Sequence, residues 1–235
     1  MEELKLALLG GAQVTLGGKP LTGFVSNKCQ ALLFYLAVTG RPHLRPSLAA
    51  LLWGDLPDED ASSNLRKSLT NLRHLLDPYL LITRHTVEFN LNSPYWLDVT
   101  AFEKGVSEVQ GTQGTKGTAL NSPNSPNSFN SLHEVVELYH GEFLAGFNVR
   151  DALPFEEWVV VERERLREQA LSALDALALR SVDSGNYGEA IHYTTRLLAL
   201  DPWREEAHRR LMLLLARTGQ RPAALAQYET CRRLL

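Results

Sequence analysis

One stretch of the sequence, residues 58–76, combines a regular leucine pattern with side chains that can form hydrogen bonds to nucleic acid. The leucines Leu65, Leu69, Leu72 and Leu76 recur after four, three and four residues, as on one buried stripe of a helix. The other faces carry cations, an amide and a hydroxyl: Arg66, Lys67, Thr70, Asn71, Arg73 and His74. Such side chains can bind phosphates and base edges, which predicts a helix that lies in the major groove of DNA. A solvated basic surface without a ligand is the alternative interpretation.

The start of this helix carries three acidic residues in succession. Asp58, Glu59 and Asp60 suit the positive end of the helix dipole, and their carboxylates can cap free N–H groups. Acids in this position favour a helix that begins close to residue 58.

The segments before this helix predict a sheet and two further helices. Leu4–Leu9 and Gln13–Leu16 are short apolar or β-prone runs joined by glycines, so the chain is expected to open as a small antiparallel sheet. A helix is expected to begin after Ser26, a suitable N-cap, and to end at Gly40. Pro46 suits the first turn of a second, shorter helix.

The segments after the helix predict a β-hairpin. Leu80–Thr83 and Thr86–Leu91 have the alternation of two paired arms, with Arg84 and His85 at the tip, and Tyr95–Leu97 could add a third strand. Three helices followed by a hairpin describe a winged helix-turn-helix, whose third helix enters the major groove and whose tip can reach the backbone or minor groove. For Arg84 and His85, an ordinary exposed turn remains the alternative.

Residues 4–103 resemble the N-terminal DNA-binding domain of the SARP-type bacterial transcriptional activators. The resemblance is carried by Leu51-Leu52-Trp53, Asn64-Leu65-Arg66, Leu69, Leu72-Arg73, Leu76, Asp98-Val99 and Phe102. It implies a winged helix of the response-regulator kind. In this sequence Asn71 and His74 stand where cations are frequent in the family.

Composition changes sharply between the two halves of the chain. Residues 111–131 are rich in Gly, Ser, Asn, Thr and Pro with a repeated Asn-Ser-Pro triplet, which predicts a flexible linker. From Leu132 the chain has helical patterns only, beginning with a helix over Leu132–Phe143. The predicted domains are therefore a winged helix over 1–103, a linker over 104–131 and an all-α domain over 132–235.

The C-terminal half contains one clear internal repeat. Gly185, Tyr187, Ala190 and Pro202 lie at the offsets of a tetratricopeptide repeat, and Gly219 and Ala224 follow Gly185 and Ala190 by 34 residues. The overall prediction is thus an α+β winged helix followed by an all-α helical repeat domain.

This half resembles the bacterial transcriptional activator domain that follows the winged helix in SARP-type regulators. The matching residues are Leu138-Tyr139, Gly141-Glu142-Phe143-Leu144, Trp158, Glu162-Arg163, Arg165-Leu166, Leu200-Asp201-Pro202, Glu206, Leu211-Met212, Gly219, Ala224, Tyr228 and Leu235. The resemblance implies that RNA polymerase is recruited beside tandem DNA sites.

Composition and scattered reactive residues argue against most other classes of protein. The 44% hydrophobic content is that of a globular protein, the net charge is −3, and no apolar run is long enough to span a membrane. The acidic N-terminus is unlike a signal peptide, which places the protein in the cytoplasm. Cys29 and Cys231 lack neighbouring ligand patterns, and no histidine has metal-ligand spacing, so we expect no metal, cofactor or enzymatic activity.

These observations predict a sequence-specific DNA-binding regulator of transcription that binds duplex DNA, contacts RNA polymerase and self-associates. Two alternatives remain open: the helical repeats could form a protein-interaction scaffold, or the chain could be the N-terminal piece of a larger ATPase-type regulator. The salt dependence of DNA binding distinguishes the first alternative from a DNA-binding regulator, because phosphate contacts give a steep negative slope and a scaffold gives none. The second depends on whether a phosphate-loop motif follows Leu235.

Overall fold

The computed structural model describes residues 2–111 and 132–234, with side chains described outside 108–111. The chain divides into two compact units. The first contains the residues up to Phe102 together with Tyr139–Glu164, and the second contains Glu103–Leu138 together with the residues from Arg165 onward. These units differ from the domains inferred from sequence, because residues 139–164 pack with the N-terminal part of the chain.

The first unit opens with a four-stranded sheet. Strands β1 (Leu4–Ala7), β2 (Gln13–Leu16) and β3 (Lys19–Pro20) are antiparallel, as expected from their patterns and glycine turns. Tyr95–Leu97 forms β7, but it pairs in parallel with β1 instead of joining the hairpin that precedes it. Burial of Leu97 beside β1 explains this pairing, which local sequence patterns do not indicate.

Three helices follow, at the positions expected from capping residues and leucine spacing. Helix α1 spans Asn27–Thr39, α2 spans Arg45–Trp53 and α3 spans Asp58–Leu76. The Ser26 hydroxyl accepts a hydrogen bond from the Cys29 backbone N–H at 3.2 Å, which stabilises the start of α1.

Helix α3 has the predicted buried stripe, but its predicted side-chain caps are absent. Leu65, Leu69, Leu72 and Leu76 are all at most 3% exposed. Pro57 occupies the N-cap position and makes no side-chain hydrogen bond, while the three acids lie within the first turn. Those acids therefore act on the helix through its dipole.

The hairpin consists of β5 (Leu80–Ile82) and β6 (Thr86–Phe89) in antiparallel register. Its sheet has a third strand, β4 (His43–Leu44), which pairs with β6 and directly precedes α2. The Thr83 hydroxyl accepts hydrogen bonds from two backbone N–H groups of the tip, at 3.2 and 2.9 Å. The turn that carries Arg84 and His85 is therefore held by local hydrogen bonds.

A buried carboxylate joins the N-terminal sheet to helix α4 (Asp98–Gly111). Asp98 is 3% exposed, and its oxygens accept hydrogen bonds from the backbone N–H groups of Leu8 at 2.6 Å, Leu9 at 2.7 Å and Val99 at 2.8 Å. Burial outweighs these donors and raises the pKa of Asp98 above its ordinary value of 3.8. Helix α4 also corrects the predicted linker, because residues 104–111 are helical and the rest of the linker lies outside the described residues.

The predicted helix over Leu132–Phe143 is too long. Helix α5 ends at Glu137, and Phe143, beyond it, forms a β-bridge with Leu9, which follows β1. The Leu144 backbone N–H donates to the Leu8 carbonyl at 2.8 Å, and the Gly10 N–H donates to the Glu142 carbonyl at 3.0 Å. Phe143 and Leu144 are fully buried there, and this segment belongs to the first unit.

The second unit is helical throughout its described residues, apart from turns. It contains the C-terminal part of α6 (Leu153–Asp183), followed by α7 (Tyr187–Leu200), α8 (Glu205–Arg217) and α9 (Arg221–Leu234). Each of the last three helices packs on its neighbour in sequence.

We expect Asp98→Ala to lower the free energy of unfolding of the first unit by about 3 kcal/mol, because three buried N–H groups lose a charged acceptor. Urea denaturation followed by tryptophan fluorescence measures this loss, since Trp53, Trp96 and Trp158 lie in the first unit. The control Asp77→Ala removes an exposed ion pair and should cost at most about 1 kcal/mol. Equal effects of the two substitutions would contradict the role given to Asp98.

The buried His43 makes the stability of the hairpin sheet dependent on pH. Burial, and to a smaller extent the charge of Arg41, lowers the pKa of His43 below 6.5. The neutral ring is therefore favoured in the fold, and its contribution is present above pH 6.5 and is lost as pH falls through the lowered pKa. Between pH 7.5 and pH 5 the melting temperature should fall less in His43→Gln than in the wild type, whereas the exposed His74→Gln should behave as the wild type.

Candidate nucleic-acid interface

The exposed face of α3 presents a band of polar and cationic side chains. At 100° per residue, the order around the helix is Arg66, Thr70, His74 and then Lys67, over an arc of about 100°. All four are exposed. Within the described part of the chain, the side chains of Arg66, Lys67 and His74 have no hydrogen-bond or ion-pair partner. They are thus available to an external ligand.

Two other predicted contact residues have weak internal partners. The Thr70 hydroxyl donates to the Arg66 carbonyl at 2.9 Å and keeps its lone pairs available as acceptors. Arg73 Nε lies 3.2 Å from Asp77 Oδ1, and both side chains are more than 70% exposed. Exposed pairs of this kind contribute at most about 1 kcal/mol, so a phosphate could replace Asp77 as the partner of Arg73.

Asn71 differs from the other predicted contact residues because both ends of its amide have partners inside the first unit. Its Oδ1 accepts from the Val25 backbone N–H at 3.2 Å, and its Nδ2 donates to the Gly23 carbonyl at 3.0 Å. The same oxygen accepts from the Cys29 thiol at 3.3 Å. These bonds hold the segment before α1 against α3, which gives Asn71 a positioning role that the sequence did not indicate.

Three arginines from separate elements line one pocket on a flank of α3. Arg66 comes from α3, Arg84 from the hairpin tip and Arg45 from the first turn of α2, around a volume of about 290 Å³. Arg45 Nη1 donates to the Thr83 carbonyl at 3.1 Å, and the Arg45 backbone N–H donates to the His85 carbonyl at 3.0 Å. Arginine side chains from three elements around one opening could bind an anion such as a phosphate.

Sequence reasoning did not single out Arg45, although it found the other two arginines. The available signal was a cation beside Pro46 at the start of a short helix. Its relation to the hairpin depends on the pairing of β4 with β6, which joins residues 43–44 to residues 86–87. His85 contributes its carbonyl to this arrangement, and its side chain is exposed.

The described residues contain neither a candidate metal site nor a candidate membrane-spanning helix. Within residues 2–111 and 132–234, no three His, Cys, Asp or Glu residues lie together in a group that could hold a metal ion. None of the helices described there is both long enough and apolar enough to cross a membrane.

The chain is similar to known bacterial regulators of transcription. The model of the bacterial transcriptional activator domain matches residues 97–235. Regulatory protein AfsR of Streptomyces coelicolor is 28% identical over 232 residues, which cover 99% of this chain and 22% of the relative. Regulatory protein AfsR of Streptomyces griseus is 25% identical over 234 residues, covering 100% and 23%. The chain thus spans less than a quarter of the length of these relatives.

A solved structure shares the fold. EmbR of Mycobacterium tuberculosis, determined in complex with a low affinity phosphopeptide, matches with a TM-score of 0.67 and 20% identity. The match covers 100% of this chain and 59% of EmbR. At this identity the likeness concerns the fold, which is α+β with small sheets and a mostly helical C-terminal part.

The buried Cys29 thiol can test whether Asn71 positions the segment before α1. Burial raises the pKa of Cys29 to about 11, so the thiol should react slowly with a disulfide reagent at pH 8, while Cys231 reacts. Asn71→Ala removes two hydrogen bonds to the segment and should speed the reaction of Cys29, with a loss of about 1–2 kcal/mol in the free energy of unfolding.

The matched control is His74→Ala, an exposed substitution on the same helix, which should leave the reaction rate of Cys29 unchanged. If Asn71→Ala weakened DNA binding without changing the protection of Cys29, Asn71 would be a base-contacting residue and the positioning role would be wrong.

Proposed function

The chain belongs to the bacterial transcriptional activator domain family of SARP-type regulators, and from this premise we propose that it activates transcription by binding specific promoter sites through α3. The observation that carries the proposal is the exposed band of unpartnered cations on α3, flanked by the pocket of Arg45, Arg66 and Arg84. Four buried leucines on the opposite side fix which face α3 presents outward.

The proposed docking is that of a winged helix-turn-helix. Helix α3 enters the major groove, and the β5–β6 hairpin serves as the wing beside the sugar-phosphate backbone. Its 19 residues make α3 about 28 Å long, which is enough to follow the groove across several base pairs. The arginine pocket would then receive a phosphate at one wall of the groove.

Sequence preference would come from the middle of the α3 face. A good bidentate contact to a base edge contributes about 1–3 kcal/mol of discrimination. Thr70 and His74 add a hydroxyl and a ring nitrogen between Arg66 and Lys67. Because Asn71 is engaged internally, we assign base contact to its neighbours and positioning to Asn71.

One winged helix makes too few contacts for a unique promoter site, so the proposal includes repeated half-sites and recruitment of RNA polymerase.

Apolar side chains on the C-terminal helices favour a further role in protein contact, including self-association. Helix α9 has no buried residue, and Leu225 and Tyr228 are 68% and 51% exposed. Trp203 and Leu213 are likewise exposed. A role in protein contact is also what the scaffold alternative requires, but that alternative gives no function to the cations of α3.

Salt titration of DNA binding tests the proposal. With a duplex selected from random sequences, Arg66→Ala and Arg84→Ala should each reduce the slope of log affinity against log salt by about 0.9, because each removes one phosphate contact. The melting temperature should stay close to that of the wild type, since both side chains are exposed.

Lys19→Ala, an exposed cation on β3, provides the matched control and should leave the slope unchanged. Absence of any salt-dependent DNA binding by the wild type would overturn the proposal and favour the protein-interaction scaffold.

A further inference from the structure

A second groove lies on the other flank of α3. It has a volume of about 1020 Å³ and is lined by Asn64, Lys67 and Ser68 of α3, by the start of α1 and by the loop over residues 148–151. All of its lining residues belong to the first unit.

Helical geometry places the two openings on opposite sides of α3. The arginine pocket is lined by Ser62, Leu65 and Arg66 of this helix, and the second groove is lined by Asn64, Lys67 and Ser68. The two sets have the same spacing and differ by two positions, which corresponds to a rotation of about 200°. The exposed band from Arg66 to Lys67 therefore runs from one opening to the other.

The cations of the second groove differ in their availability. Lys28 Nζ donates to the Asp151 carbonyl at 2.8 Å, lies 3.8 Å from Asp55 Oδ1 and is 5.9 Å from the centre of the Trp53 ring. Its side chain is only 17% exposed, so Lys28 serves the structure of the groove. Lys67 and Arg150 are exposed and have no partner within the described part of the chain.

The loop that carries Arg150 is anchored by contacts on both sides of this residue. Asn27 Nδ2 donates to the Asn148 carbonyl at 3.4 Å, and the Val149 N–H donates to Glu156 Oε1 at 2.7 Å. Val149 is 4% exposed, and the bond from Lys28 holds the residue that follows Arg150. Arg150 is thus presented at the groove by a loop held on α1 and α6.

We propose that the second groove receives a backbone phosphate of the DNA strand opposite to the one at the arginine pocket, with Lys67 and Arg150 as the contacting cations. This inference rests on the proposed function. The major groove is about 12 Å wide, and a helix with its side chains is about 10–12 Å across, so α3 meets a phosphate wall on each flank. Arg150 would then be a DNA-contacting residue contributed from outside the winged helix.

One carboxylate in the groove opposes this binding and offers a sensitive test. Asp151 lines the groove, and its backbone has a φ of 54°, a conformation that asparagine also tolerates. Asp151→Asn keeps the carbonyl that accepts from Lys28 and removes one negative charge. The substitution should therefore strengthen DNA binding.

The experiment compares Arg150→Gln and Asp151→Asn with the wild type in the same salt titration of a selected duplex. Arg150→Gln should weaken binding about three- to tenfold at low salt and reduce the salt slope by about 0.9, with an unchanged base preference. Asp151→Asn should tighten binding about twofold or more by relieving repulsion at low salt. The matched control is Arg180→Gln, an exposed arginine of α6 in the second unit, which should change neither quantity.

The outcomes separate this inference from the proposed function. If Arg66→Ala reduces the slope while Arg150→Gln leaves both slope and affinity unchanged and Asp151→Asn leaves affinity unchanged, the second phosphate site is wrong and the function of α3 stands. If the wild type shows no salt-dependent binding, the proposed function itself fails.

A titration with pyrophosphate in the absence of DNA provides the last arm. A rise in the melting temperature that is lost in Arg150→Gln, together with unchanged DNA binding in that variant, would identify a site for a small anion and overturn the inference.

Discussion

Burial of one leucine stripe on α3 is the interaction on which the candidate interface depends. Leu65, Leu69, Leu72 and Leu76 each leave water almost completely, and burial of a leucine side chain contributes about 1.5–3 kcal/mol. Because residues on one helix keep fixed angular relations, burial of this stripe determines that Arg66, Thr70, His74 and Lys67 point away from the core. These cations therefore face outward with no hydrogen bond or ion pair to the described part of the chain.

Two networks of hydrogen bonds support this arrangement at a distance from the exposed face. On one side, Asn71 and Cys29 join the segment before α1 to α3. On the other side, the pairing of β4 with β6 brings Arg45 to the hairpin tip. Each flank of α3 is therefore fixed by contacts between segments that are far apart in sequence, and each flank presents at least one cation that has no internal ion pair.

The local parts of this structure could be predicted from sequence, and the nonlocal parts could not. Ser26, Gly40 and the leucine spacing predicted α1 and α3 because capping and periodicity act over a few residues. The internal bonds of Asn71 could not be predicted from sequence, because its partners lie 42 to 48 residues away.

The same dependence on distant contacts explains where the observed units differ from the predicted domains. The predicted linker began at residue 104, but α4 continues to Gly111, and Val99, Phe102 and Val106 are buried along it. The helix expected over Leu132–Phe143 ends early because the Leu8 carbonyl and the Gly10 N–H offer the segment a β-type partner. The groove beside Arg150 was not predicted either, since it depends on the same return of the chain to the first unit.

That return has a consequence for biosynthesis. A nascent chain that has reached Phe102 contains β1 to β7 and α1 to α3, but Phe143, Leu144 and the first turns of α6 are still missing from the unit they complete. At about 5–20 residues per second, the ribosome needs roughly 3–12 s to add residues 103–164. During this interval the Leu8 carbonyl and the Gly10 N–H, which follow β1, lack their partners Leu144 and Glu142, and the apolar surface beside them stays exposed. Residues of the family's activator domain therefore complete the first unit.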